Sequence, residues 1–230
     1  MNTDSIRRPR LPIALAVAIA SAALAVAIPG LHHDAQGHSE DAHVAKSGDV
    51  TKKEVALHDG MRKLWEDHIT WTRLFIVSAV GDLPDKQATT ERLLRNQVDI
   101  GNAIKPFYGK AAGNQLTDLL QEHIVVAGDL LGAAAAGDQD EVAHQSKVWY
   151  RNGNQIGDFL HKANPDNWHR KEMRSMMRKH LDLTLGEAVA HLEGRYTDDV
   201  RFYDKIHRQI LHMADMLSDG IVAQFPARFN

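Results

Sequence analysis

No cysteine occurs among the 230 residues. That absence excludes disulfides, thiolate metal sites and cysteine catalysis, and it leaves imidazole and carboxylate as the ligands a metal would find. Strand signals are almost as scarce. No run of β-branched residues alternates with polar ones between turn dipeptides, so the folded part reads as all-α. A basic face with interleaved aromatics is also missing, and with a formal net charge of -3 nucleic acid is excluded as a partner. Aromatics make up only 6% of the chain, so Leu, Ile, Val, Met and Ala must fill the core.

What the chain does have is helical periodicity. Leu57, Met61, Leu64, His68, Trp71 and Phe75 recur at steps of four and three within residues 51–79 and define one seam. Residues 114–131 repeat the pattern through Leu116, Leu119, His123, Ala127 and Leu130. Residues 138–161 contribute Val142, Trp149, Asn152, Ile156 and Leu160. Met173, Met177, His180, Thr184, Glu187 and His191 follow the same steps within 165–192, and Val200, Tyr203, His207, Ile210, Ala214, Leu217 and Ile221 within 197–223. Starts are marked at Pro84-Asp85, Asp138 to Glu141 and Asn164-Pro165-Asp166, and ends at Gly132 and Gly194. Between residues 89 and 109, Arg95-Asn96-Gln97 reads as a break between short helices and Lys105 to Gly109 as a terminating turn.

The expected fold is a helical bundle of about five long helices plus short ones, ferritin-like or hemerythrin-like in general architecture only. Three regions are expected: 1–28, 29–50 and a bundle at 51–230, with no internal repeat dividing the last. Arg7, Arg8 and Arg10 precede an uncharged stretch from Leu11 to Ile28, the pattern of an export signal or an uncleaved membrane anchor. Pro9 and Arg10 depart from a twin-arginine signal. The bundle is thus expected outside the cytoplasmic membrane. His32, His33, His38 and His43 lie with three acids in a polar linker that is able to gather transition metal ions weakly.

Four histidines, His68, His123, His180 and His207, fall on the apolar stripes of four helices. Buried imidazoles need partners, whether metal, carboxylate or carbonyl. The expected metal ligands are His68, His123, His180 and Glu187, for a divalent transition metal of unspecified identity; Asn152, Thr184 and His207 are the expected neighbours that orient ligands or substrate. The motif Glu141 to His144 has the Glu-x-x-His spacing of di-iron bundles but occurs once, in a first helical turn, and reads as a cap. Two other functions fit the pattern: a metal-free interaction module held in register by structural histidines, and an enzyme acting on a small anionic molecule through Arg73, Arg92 or Arg95.

The run Leu64 to Arg73, the phrase Asp99 to Gly109, Glu122-His123-Ile124, Trp149-Tyr150-Arg151-Asn152, and the ending Met213-Ala214-Asp215 through Gln224-Phe225-Pro226 together resemble a poorly characterised bacterial family of small exported helical proteins. The resemblance covers essentially everything after Lys52. Members carry labels such as glycosyltransferase or acetylglutamate kinase, which the residues here do not support, because the glycine-rich loops and sheet pattern those activities use are absent. The resemblance implies relatives and no mechanism.

Overall fold

The computed structural model describes residues 50–230; the candidate export segment and the histidine-containing linker lie outside them. Helices α1 (Lys52–Val80), α2 (Lys86–Ala136), α3 (Gln139–Ala163), α4 (Arg170–Leu192) and α5 (Tyr196–Gln224) are followed by one 3-10 turn, and no strand occurs among the described residues. The ends follow from local chemistry. Thr51 and Glu54 form a reciprocal capping box at the start of α1, which satisfies two backbone donors that a helix end leaves free. Asp138 accepts from the Glu141 backbone amide at 3.1 Å and starts α3, while Gly137, at a φ of 76°, turns the chain out of α2 in the left-handed conformation that glycine adopts without a Cβ clash.

α2 is continuous in hydrogen bonding but doubles back at Gly109, where φ is 84° and ψ 169°. A Cβ added to Gly101 would stand 2.5 Å from the Gly113 carbonyl oxygen. In a straight helix those residues would be about 18 Å apart, so the segments before and after Gly109 are antiparallel arms packed backbone to backbone. The expected turn near Gly109 is there. The expected break at Arg95-Asn96-Gln97 is not: all three are helical, and Asn96 and Gln97 are fully buried, because their amides have partners inside the bundle. α2 is long and apolar enough by length and composition to pass for a bilayer span, but its reversal and its buried face make it a hairpin of the core.

With α2 counted as two arms, the bundle is three antiparallel hairpins: α1 with the first arm, the second arm with α3, and α4 with α5. Neighbours in the chain are neighbours in space, and α5 closes the ring on α1. The hairpins repeat one pattern. Leu64, Leu119 and Met176 each stand four residues before a histidine that is followed by Ile69, Ile124 or Leu181. On the second helix, Arg95-Asn96, Arg151-Asn152 and Arg208-Gln209 precede Ile100-Gly101, Ile156-Gly157 and Met213-Ala214 at one spacing. Gly157, like Gly101, sits where helices nearly touch: its Cβ would meet the backbone of Met173 and Arg174 at 3.0 to 3.2 Å. The bundle is therefore internally repeated, which corrects the expectation of no internal repeat: only a few positions per copy recur, too few to show as extended similarity.

Candidate functional site

The repeat delivers three imidazoles to one level of the core. His68 from α1, His123 from the second arm of α2 and His180 from α4 are 3%, 3% and 4% exposed. The rings of His68 and His180 are 5.8 Å apart between centroids. Burial pushes the pKa of all three down, to about 4 for His123 and His180 and well below the ordinary value for His68. Mutual proximity adds to the effect, since a proton on His180 or His123 disfavours one on His68, and one on His180 disfavours one on His123. The layer is uncharged at neutral pH.

Each histidine is held by an amide 29 residues further on, from the second helix of its own hairpin. His123 Nδ1 is 2.9 Å from Asn152 Oδ1, and His180 Nδ1 is 3.0 Å from Gln209 Oε1. The other end of each amide donates to the carbonyl one turn before the histidine, Asn152 to Leu119 at 3.1 Å and Gln209 to Met176 at 3.4 Å. A backbone carbonyl can only accept, so each amide nitrogen faces the carbonyl and each amide oxygen faces the ring. Nδ1 must then carry the proton, which leaves Nε2 with a free lone pair. Among the described residues neither Nε2 has a hydrogen-bond partner.

The first hairpin divides the same job between two residues. Asn96 donates to the Leu64 carbonyl at 3.0 Å, and Gln97 meets His68 Nδ1 at 3.3 Å with its amide nitrogen. That nitrogen also lies 2.8 Å from the Leu93 carbonyl, while Gln97 Oε1 is buried without a partner. His68 therefore carries its proton on Nε2, the reverse of the other two.

Glu187 does not join the layer. It lies seven residues beyond His180, a rise of about 10.5 Å along α4, and its carboxylate is 2.6 Å from the Arg73 guanidinium. Arg73 also binds Asp199 at 2.6 and 3.1 Å, and Asp199 accepts from His191 Nδ1 at 2.8 Å. Burial raises the Glu187 pKa to about 7 against the pull of Arg73, with Asp199 adding to the rise. Arg73, one of the expected anion clamps, is thus engaged by two carboxylates of the chain itself.

His207 is likewise outside the core. It is partly exposed, pairs with Glu66 at 2.8 Å and stacks on Tyr203. The buried face of α5 runs through Ile206, Gln209, Ile210, Met213 and Leu217, so the true partner at this level is Gln209, two positions from the expected histidine. Periodicity does not single out Gln97 and Gln209; their signal is the recurrence of an Arg-amide pair whose amide stands 28 or 29 residues after each histidine, with Gln97 the next residue in the first copy. Asn152 is where expected, bonded to a ring nitrogen. Thr184 is 8% exposed, and its Oγ1 has no partner.

Thr72, Ala127 and Thr184, each one turn beyond a histidine, help line a cavity of about 60 Å³ whose wall is otherwise almost entirely hydrocarbon. Trp149 joins it, its ring stacked on His123 at 5.2 Å and its indole N–H unpaired. Among the described residues no three ligating side chains stand at coordination distance as folded. Compared with known proteins, the chain matches no family model, no curated protein and no solved structure.

Proposed function

We propose that this bundle binds one divalent transition metal through His68, His123 and His180. The observation that carries the reading is the repeated hairpin, which supplies an imidazole in all three copies and, for His123 and His180, an amide acceptor for the Nδ1–H. Metal-bound histidines commonly donate their other N–H to such an acceptor, which fixes tautomer and ring direction. Two imidazoles on one metal, at about 2.0–2.1 Å per bond, place their ring centroids roughly 5–6 Å apart, close to the 5.8 Å of His68 and His180. Binding requires His123 to close in, and it requires His68 to move its proton to Nδ1. It also requires Gln97 to swing away, because the Leu93 carbonyl and Asn96 Oδ1 hold its amide nitrogen at 2.8 and 3.2 Å and an Oε1 turned into that place would face two oxygens. Three imidazoles without a carboxylate suit zinc, copper and iron and disfavour manganese. Three protein ligands leave a coordination position open.

The arginine-flanked apolar segment at residues 11–28 supports placing the bundle outside the cytoplasmic membrane; a carboxyl-terminal reporter active only in the cytoplasm would contradict this. The runner-up is a metal-free module in which the imidazole–amide pairs hold the helices in register, favoured by those pairs and by the lack of a preformed coordination shell among the described residues. Thermal melting of the full chain with and without zinc or cobalt(II) separates them. A rise in Tm that His68→Ala, His123→Ala and His180→Ala each abolish supports the metal; an unchanged Tm supports the module.

A further inference from the structure

The first hairpin departs from the repeat at one residue, and that residue bears on a histidine. Asn96 stands where Asn152 and Gln209 stand, and like them it donates to the carbonyl one turn before its histidine. In the second and third hairpins the oxygen of that amide meets the ring nitrogen directly. In the first, the Gln97 amide nitrogen bridges the two, 3.2 Å from Asn96 Oδ1 and 3.3 Å from His68 Nδ1. The residue at this position is Gly153 in the second copy and Ile210 in the third, so neither of those has an amide to insert.

Two backbone carbonyls fix which way the inserted amide points. Asn96 gives its nitrogen to the Leu64 carbonyl, which leaves Oδ1 as the atom that meets Gln97, and the Leu93 carbonyl takes one hydrogen of Gln97 Nε2 at 2.8 Å. The second hydrogen is shared between Asn96 Oδ1 and His68 Nδ1. A proton on that ring nitrogen would face an amide nitrogen that has no lone pair to accept it. Gln97 itself is fully buried, and its Oε1 has no partner. An unmade hydrogen bond in a core costs stability, and Gly153 and Ile210 carry no such cost.

We propose that Gln97 is a latch on the histidine layer, a positioning residue that keeps the His68 proton on Nε2, the nitrogen a shared metal needs, and so makes the metal exchangeable instead of permanently held. This deepens the metal reading and rests on it. A binding-competent state that is only partly populated lowers the apparent affinity by its population. Competence here is the form of His68 with its proton on Nδ1 and Asn96 Oδ1 accepting it, the arrangement that His123 and His180 already have.

Replacing Gln97 by the residue of another copy tests the latch. The background is the full chain with His32, His33, His38 and His43 changed to alanine, so that zinc taken up is not held by the linker. Two-bond proton–nitrogen NMR of the metal-free protein, labelled in its histidine rings, shows which ring nitrogen carries the proton. The parent should have His68 protonated on Nε2 and the other two on Nδ1; in Gln97→Ile all three should be protonated on Nδ1. Zinc affinity, by competition with a chelating dye, should rise about 10–100-fold, the size of effect that a ligating histidine's outer partner has. Gln97→Gly serves if Gln97→Ile does not fold. A His68 protonated on Nδ1 in the parent, a tautomer that neither substitution moves, or a zinc affinity unchanged once it has moved, overturns the proposal. If the tautomer moves while neither parent nor variant takes up zinc, the metal reading fails, and Gln97 stands as the residue that sets the His68 tautomer.

Discussion

The histidine layer and the Arg73 cluster are two solutions, within about two turns of the same helices, to the problem of burying polar groups. At the histidine layer every group is neutral: imidazoles whose protonated forms are suppressed by burial, bonded to amides that are bonded in turn to carbonyls. Around Arg73 the groups are charged or poised to be, one guanidinium serving an Asp199 held below the usual carboxylate range and a Glu187 that burial brings to about 7, both 2% exposed at the side chain. Neutral pairs leave lone pairs available, whereas ion pairs consume theirs. Asp199 shows the second case, with both oxygens engaged by Arg73 and His191. The comparison teaches that a titratable residue on a core stripe is free for chemistry only where its partner satisfies one end of it. Glu187 and His180 share a stripe and differ in that respect.

The largest expected effect falls on the ionic side. Arg73→Met leaves Glu187 and Asp199 buried without their cation, and breaking a buried pair from one side costs about 3–5 kcal/mol. Urea unfolding should show the midpoint falling accordingly, with metal content unchanged. A loss under 1 kcal/mol would mean that the carboxylates find water, and the contrast between the regions would dissolve.

Asn152→Leu probes the neutral side. It strips the acceptor from His123 Nδ1–H and the donor from the Leu119 carbonyl, for a cost of about 1–3 kcal/mol. The same change should weaken metal binding about 10–100-fold, measured by competition with a chelating dye. Unaltered affinity would make the amide a packing residue.

Stability against pH separates the regions by sign. For His123 and His180 the folded pKa, about 4, lies below the unfolded value of about 6.5, so the stability they contribute is complete above 6.5 and is lost as pH falls toward 4. For Glu187 the folded pKa, about 7, lies above the unfolded value of about 4.3; its contribution is complete below that value and is lost as pH rises through 7. Metal-free protein should therefore destabilise on acidification, and Glu187→Gln should steepen that decline between pH 5 and 7 by removing the opposing term. Denaturant titrations at several pH values measure both slopes. A slope that Glu187→Gln leaves unchanged would contradict the assignment.

The smallest effect belongs to His207→Ala. Its pair with Glu66 is on the surface, and such pairs contribute about 0–1 kcal/mol. Melting and metal content should both stay close to the parent, and a loss of metal would return His207 to the site.

Much of this was legible in the sequence. The stripes of α1, the second arm of α2, α3 and α4 identified His68, His123, His180 and Asn152 as buried, because leucines and isoleucines at steps of three and four fix a helix face. On α5 the stripe slipped. Tyr203, His207 and Ile210 fit the spacing as well as Ile206, Ile210 and Met213 do, and a single position on a helix turns a side chain by about 100°. Glu187 shared His180's stripe, but depth along the axis is invisible to periodicity, which wraps all turns onto one circle. The amide that bonds the carbonyl one turn before each histidine was written in the spacing of Arg95-Asn96, Arg151-Asn152 and Arg208-Gln209, and in the last two copies that amide also meets the ring. Only the folded hairpins show why that spacing recurs.

Metal content of the full chain purified without chelators, by inductively coupled plasma mass spectrometry, tests the central claim most directly. One transition metal ion per chain is expected, retained in a variant in which His32, His33, His38 and His43 are all replaced by alanine and lost in His68→Ala, His123→Ala and His180→Ala. A chain that holds no metal and takes none up on incubation, or one whose metal depends on the linker histidines and not on those three, would contradict it.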